Sequence, residues 1–197
     1  NMFITGGRAG QVMFFVSLVV LSFQFFRDSQ VKASLMAILL VAVIAFSGYN
    51  YSGMFKERVQ AIAYDLQKFS YNPDTSIGHR IIFTKNTIEI IKSAPFFGVG
   101  TGDYPLEYKK INQVNTPTSR DTVHPHNMYL YVQSQLGIIG LISFFWIFYS
   151  QFNFALKSKD EFVKHVGVAL PLLFLVIMLS DSYLLGHYTS NLFVLFS

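Results

Sequence analysis

The sequence predicts an all-α fold: a polytopic integral membrane protein fragment with four to five transmembrane helices and one long extracytoplasmic loop that contains amphipathic helices. Three observations predict it. Of 197 residues, 52% are hydrophobic and 17% aromatic while only 13% are charged, with a mean hydropathy of +0.40, which is too apolar for an ordinary soluble domain. Apolar runs near the ~20 residues that a helix needs to cross a ~30 Å hydrocarbon core recur along the chain. Polar residues gather instead in one stretch, from about Asn50 to Gln135. The chain opens on Asn1 and its last apolar run reaches Phe196 and Ser197, so it reads as a piece of a longer protein and its spans as a minimum count.

Four runs qualify as spans: about Ala9 to Phe26, Ala33 to Tyr49, Leu136 to Leu156, and His165 to Leu185. The second is short and needs a thin local bilayer or help from its neighbours. A fifth run, Asn191 to Phe196, is cut off before it can be judged. The chain thus divides into 1–49, two spans joined by a cytoplasmic turn; 50–135, the outer loop; and 136–197, two spans and the start of another. The connections "RDSQVK" and "KSKDEFVK" carry the Lys and Arg excess of short cytoplasmic loops. Arg8, the 50–135 segment and His187 then lie on the far, extracytoplasmic side.

Within the long segment, "GHRIIFTKNTIEIIKSAP" sets Ile81, Ile82, Thr84, Ile88, Ile91 and Ala94 at helical spacing, opposite Lys85, Asn86, Glu89 and Lys92. That is an amphipathic helix stopped by Pro95. "FFGVGTGDY" follows as a glycine-rich loop, "PLEYKKIN" as a short helix or turn, and "NQVNTPTSRDTV" as an irregular stretch.

The net charge of +4 does not point to nucleic acid, because the basic residues are scattered singly and form no stripe with interleaved aromatics. Anionic lipid or a phosphorylated substrate fits better. The absence of cysteine excludes a disulfide framework and thiolate metal sites, and leaves the redox compartment open.

The residues able to do chemistry are few. His124 and His126 flank Pro125 as a short His-x-His pair, with Asp121 or His187 as possible third metal ligands; no usual zinc spacing such as H-E-x-x-H is present, and two histidines at a polar helix boundary also occur without function. "GVGTG" offers backbone N–H groups for a phosphate but lacks the Lys-Ser/Thr ending of a P-loop, and a tight turn accounts for it equally. Asp103, at its end, either caps the next helix or orients a substrate hydroxyl. Arg8, in "TGGRAGQ", and Arg80, in "GHRII", either snorkel to headgroups or converge on a diphosphate, which guanidinium forks match bidentately; Arg120 and Lys85 are supporting cations. Asp181, in "LSDSYLLGHY", is an ionisable group at membrane depth and so either functional or satisfied by Ser180, Ser182 or a neighbouring helix. Pro171 in the same run predicts a kink.

Together, "GHRIIFTKNTIEIIKSAPFFGVGTGDY" and "HPHNMYLYVQSQLGIIG" resemble the C-terminal half of the O-antigen ligase and polymerase superfamily of bacterial membrane glycosyltransferases. The ligase signature is His, then Asn, Ser or Gln, nine residues, Gly, two residues, and Gly, Thr or Tyr. Here His126 and Asn127 precede the nine residues Met128 to Leu136, then Gly137, Ile138, Ile139 and Gly140. Arg8 to Gln11 is similar to the family's arginine at the outer end of a helix, and Arg80 falls where a second arginine opens the large periplasmic loop. The resemblance runs from about Thr5 to Leu185.

What it implies is glycosyl transfer on the periplasmic face of the bacterial inner membrane, from an undecaprenyl-diphosphate-linked glycan to an acceptor hydroxyl on lipid A-core or on another glycan. Diphosphate is a good leaving group whose growing charge needs preorganised cations, the role expected of Arg8 and Arg80. His126 is expected as the general base, giving inversion without a covalent intermediate. Asn127 is expected to orient His126 or a sugar, with His124 secondary because the motif omits it. Gly137 and Gly140 are expected to let the third span pack closely against a neighbour. No nucleotide, cofactor or metal is implied. A polymerase of the same superfamily looks alike at this level; a transporter or flippase would gather its polar residues near the midplane, whereas here they collect in the outer loop.

Overall fold

The computed structural model describes the backbone of residues 8–68 and 74–195, and the described residues are helical with no strand. The helices are α1 (Arg8–Phe25), α2 (Gln30–Tyr51), α3 (Gly53–Lys68), α4 (Ser76–Ser93), α5 (Tyr104–Asn115), α6 (Met128–Lys157), α7 (Glu161–Ile177) and α8 (His187–Leu195), with a short 3-10 turn at Tyr183–Leu185 before α8.

Helices α1, α2, α6 and α7 make the apolar body. Two of them, α2 and α6, are long and apolar enough to cross a membrane; α1, apolar over Gly10–Phe25, and the 17-residue α7 are shorter. Ser29 caps α2 by accepting from the Lys32 N–H. The small residues Ala33, Ala37 and Gly48 are the ones α2 buries, and it packs on α1. The opposite stripe, including Leu35, Ile38, Leu39 and Phe46, is left exposed. Asp160 caps α7 through the N–H groups of Phe162 and Val163, and the helix runs on through the buried Pro171 to Ile177. At this end Arg27 Nη1 lies 2.9 Å from Glu161 Oε2 and Gln24 Nε2 donates to the His165 carbonyl at 2.8 Å. The two basic loops therefore meet at one end of the bundle, and the α6–α7 hairpin carries the histidines to the other.

The 50–135 segment is more helical than its sequence suggests. Helix α3, which no expectation covered, follows α2 almost directly, and α3 packs on α4. In α4 the buried side is not the isoleucine stripe: Ile82, Phe83, Asn86, Thr87 and Ile90 are buried while Ile88 is exposed. Asn86, expected on the polar side, points inward because α5 supplies partners for it. Its amide donates to Thr116 Oγ1 at 2.8 Å and lies 3.3 Å from both Tyr108 Oη and Asn112 Oδ1. Thr87 donates its one hydroxyl proton to the Phe83 carbonyl at 2.6 Å. The Tyr104 hydroxyl, 2.8 Å away, must therefore be the donor to Thr87. Burial pushes the Tyr104 and Tyr108 phenols up from their usual range, so both stay neutral donors.

Two apolar clusters result. Phe83, Ile90, Tyr104 and Tyr108 bind α4 to α5, and Met128, Val132, Phe148, Phe174 and Met178 bind α6 to α7; Tyr131 of α6 touches both.

Candidate functional site

The spacing between the motif asparagine and the first glycine is a length of helix. Asn127 is the N-cap of α6: its Oδ1 accepts from the N–H groups of Tyr129 and Leu130 at 3.0 and 3.1 Å, and its Nδ2 donates to the Leu179 carbonyl at 3.3 Å. The Met128 N–H donates to the Met178 carbonyl at 2.9 Å. Asn127 thus ties the start of α6 to the end of α7. After the nine helical residues Met128 to Leu136 the helix breaks at Gly137, whose φ of 65° and ψ of −166° lie outside helical values. Helix α6 accordingly starts at Met128, eight residues before the expected span at Leu136.

The glycine-rich loop fills the break. Val99 and Gly100 donate N–H bonds to the carbonyls of Ser134 and Gln135 at 2.9 and 3.0 Å, and Ile138 returns one to the Pro95 carbonyl at 2.9 Å. Gly102 adds a 2.6 Å bond to Gln135 Oε1. The approach is backbone on backbone: a Cβ on Gly137 would meet the Phe96 carbonyl oxygen at 2.1 Å, and one on Gly98 the Gln135 carbonyl carbon at 2.2 Å. Gly140 makes room for the Leu136 side chain of its own helix. What the motif glycines approach is thus the loop and their own helix, not a second span. The N–H groups of Val99, Gly100 and Gly102 that could have formed a phosphate nest are used here. Asp103 stands at the N-cap of α5 but makes no capping bond with its side chain, because its backbone is already in the α-helical region.

Ahead of α6 the chain folds back on itself. His126 has a φ of 54°, the left-handed region that L-residues rarely adopt. The turn around the buried Pro125 brings the His124 and His126 rings to 4.3 Å between centroids. Both face Asp181, which lies beyond the end of α7. Asp181 Oδ1 is 3.0 Å from His126 Nδ1 and 3.7 Å from His124 Nδ1, and it also accepts the Ser182 N–H at 2.8 Å. A carboxylate can only accept, so in the neutral imidazole the His126 proton sits on Nδ1, bonded to Asp181, and Nε2 is the acceptor. The His126 N–H points at His124 Nδ1 at 3.4 Å, so His124 is neutral with its proton on Nε2. Burial, reinforced by His126 and opposed by Asp181, holds the His124 pKa below its usual value. The side chains of His124, His126 and Asp181 are 24%, 26% and 33% exposed, so the group is sheltered but open to a ligand.

His126 stacks on Phe83 at 5.8 Å, and the Arg120 guanidinium lies 5.6 Å from the centre of the same ring. Together they border a cleft of about 560 Å³ that also includes Lys109, Asp121, Leu106 and His124. Arg80, on α4, is half-buried and acts electrostatically on Tyr183, beside the Asp181 turn. Lys85 is exposed on α4, outside the cleft lining. Arg8 begins α1; its side chain and that of His187 lie outside the described residues. Asp121, considered as a third metal ligand, accepts from Asn112 Nδ2 at 2.8 Å; the carboxylate that joins the histidines is Asp181.

Sequence reasoning had both His126 and Asp181 as candidates but did not pair them, since 55 residues separate them. Phe83 and Lys109 were missed; Phe83 had no signal beyond an aromatic on the helix face that also carries Asn86.

A family model described as O-Antigen ligase matches residues 1–145. An uncharacterised protein of Haemophilus influenzae is 24% identical over 163 residues, covering 80% of this chain and 41% of that protein, so the chain spans about two fifths of the length of the curated relative it matches. With the histidine motif capping and breaking α6 inside the matched family region, the chain belongs to the O-antigen ligase family.

Proposed function

We propose that the chain carries the outer-face catalytic centre of a glycosyltransferase that moves a glycan from undecaprenyl diphosphate to an acceptor hydroxyl, on lipid A-core in the ligase form of the reaction. The observation that carries this reading is the 3.0 Å contact between His126 Nδ1 and Asp181 Oδ1 at the border of a cleft that also holds a guanidinium. Asp181 fixes the tautomer, so that Nε2 of His126 removes the acceptor proton as the hydroxyl oxygen attacks the anomeric carbon. The bond to the diphosphate oxygen breaks as the new glycosidic bond forms, and the departing charge is met by Arg80 and Arg8, with Arg120 and Lys85 in support. One base and one displacement invert the anomeric centre, without nucleotide or metal in the reaction. Asn127 acts as a positioning residue by holding the start of α6 against the α7 end.

The same reading has α1, α2, α6 and α7 span the inner membrane, with α8 the start of a fifth span. Its support is the exposed apolar stripe of α2, which water would not tolerate, and the meeting of the basic loops at the end away from His126. The second reading is a polymerase that extends the glycan on its carrier lipid; the family covers both, and the geometry of the base is common to them. A flippase is disfavoured by the gathering of charged groups around the outer-end cleft.

Complementation of a ligase-null and a polymerase-null strain with the full-length protein separates the readings on lipopolysaccharide gels. Restored capping of the core marks a ligase; restored chain length on carrier lipid marks a polymerase. Undiminished activity of His126→Ala in whichever strain responds would falsify the base assignment.

A further inference from the structure

His124, His126 and Asp181 form the group of three metal-type donors that comes together among the described residues, with ligand atoms all within 4.8 Å of one another. Donors bound at about 2.0 to 2.1 Å around a tetrahedral ion stand about 3.3 Å apart. The two edges to Asp181 Oδ1, 3.0 Å from His126 Nδ1 and 3.7 Å from His124 Nδ1, bracket that distance. The remaining edge, between the two histidine nitrogens, lies within 4.8 Å, and binding an ion there gives up the 3.4 Å bond from the His126 backbone N–H to His124 Nδ1. Partial exposure of all three side chains leaves a fourth position for water.

We propose that these residues bind a divalent first-row transition ion, of which Zn²⁺ is the probe, and that the bound ion switches the base off. The inference rests on the reading of His126 as the base. In the metal-free state His126 carries its proton on Nδ1, hydrogen-bonded to Asp181, and Nε2 is the free acceptor. An ion takes the Nδ1 lone pair, and a neutral imidazole bound through Nδ1 must carry its proton on Nε2. The proton has moved from one nitrogen of the ring to the other, none is released by His126, and the atom that accepted the substrate proton is now a donor. Asp181 exchanges its hydrogen bond for a metal bond and no longer sets the reactive tautomer. His124 contributes through Nδ1, which already acts as an acceptor toward the His126 backbone N–H and faces Asp181. The ion would therefore be an inhibitor of transfer, not its cofactor.

The test uses the purified full-length protein in detergent, stripped with EDTA, and isothermal calorimetry with zinc chloride. The expected result is one ion bound per chain in the wild type, with the dissociation constant raised at least ten-fold in His124→Ala and in Asp181→Asn. Where Asp181→Asn loses its fold with the Ser182 contact, the His124→Ala titration decides. No zinc binding in the wild type, or equal affinity in folded His124→Ala, overturns the site. Transfer by the wild type falls at least ten-fold at saturating zinc and returns with chelator; transfer unaffected at full occupancy overturns the switch. Transfer retained by His126→Ala overturns the base reading instead, and leaves the calorimetry as it stands.

Discussion

His126 stands in a left-handed backbone conformation, φ 54°, which costs an L-residue on the order of 1 to 3 kcal/mol. The strain is offset by what it brings together: a ring stacked on Phe83 and bonded to Asp181. Replacing Asp181 by Asn leaves a partner of the same shape that no longer holds the proton on Nδ1. Asp181→Asn is expected to lower the turnover number by about 10²-fold or more with little change in KM, measured as transfer of a lipid-linked glycan by the purified full-length protein. A rise in KM alone would assign Asp181 to substrate binding. His124 gives a different signal. Its folded pKa is lowered by burial first and by His126 second, so between that value and the unfolded value near 6.5 the unfolded chain binds more protons. Stability is therefore full above about pH 6.5 and is lost as pH falls through the folded pKa. Thermal unfolding followed against pH should show this slope, and His124→Gln should flatten it. The family motif that the sequence resembles includes His126 and omits His124; that both face Asp181 was not legible, because a contact across 55 residues leaves no local periodicity.

At the scale of elements, the break in α6 and the loop that fills it are the parts most sensitive to single atoms. Gly137→Ala must place a Cβ 2.1 Å from the Phe96 carbonyl oxygen in a backbone region that favours glycine. It is expected to destabilise by more than about 2 kcal/mol or to abolish folding, read as the unfolding midpoint in detergent. Gly10→Ala, which meets nothing within 4 Å in a helix, is the control and should be neutral or stabilising by about 0.5 to 1 kcal/mol. Between α4 and α5, Thr87→Val leaves the buried Tyr104 hydroxyl without its acceptor and should cost about 1 to 3 kcal/mol, most of it recovered by adding Tyr104→Phe. The length of apolar runs located α1 and α2, and periodicity located α4. It misjudged which face of α4 is buried, since Asn86 and Thr87 find partners only once α5 is in place. It passed over α3, whose residues are mixed in polarity, and ran the last span past Ile177 because apolar composition continues where the helix does not.

Across the whole molecule, the Arg27–Glu161 bridge and the His126–Asp181 pair mark opposite ends of the α6–α7 hairpin. Their assignment to opposite faces of a membrane can be checked directly, because the 197 residues contain no cysteine. Cysteine at Lys159 is expected to react with an impermeant maleimide only after the cells are opened, and cysteine at the exposed Thr118 from outside the inner membrane. Labelling of both from one side would remove the proposed orientation. Composition was sufficient to read the chain as helical and apolar, and the basic loops were sufficient to predict that they share an end. The number of spans is less legible, as α1 and α7 are apolar but short.

The exchange of backbone bonds between 95–100 and α6 also imposes an order on biogenesis. As α6 leaves the ribosome it carries carbonyls at Ser134 and Gln135, and an N–H at Ile138, that its own helix does not satisfy. Lipid offers them nothing, so in the proposed orientation α6 reaches its final hydrogen bonding only after the preceding segment has been translocated and folded back against it. Delayed export of the stretch around Pro95 should therefore trap α6 in an unfinished state, open to quality-control proteolysis, even with its own sequence intact.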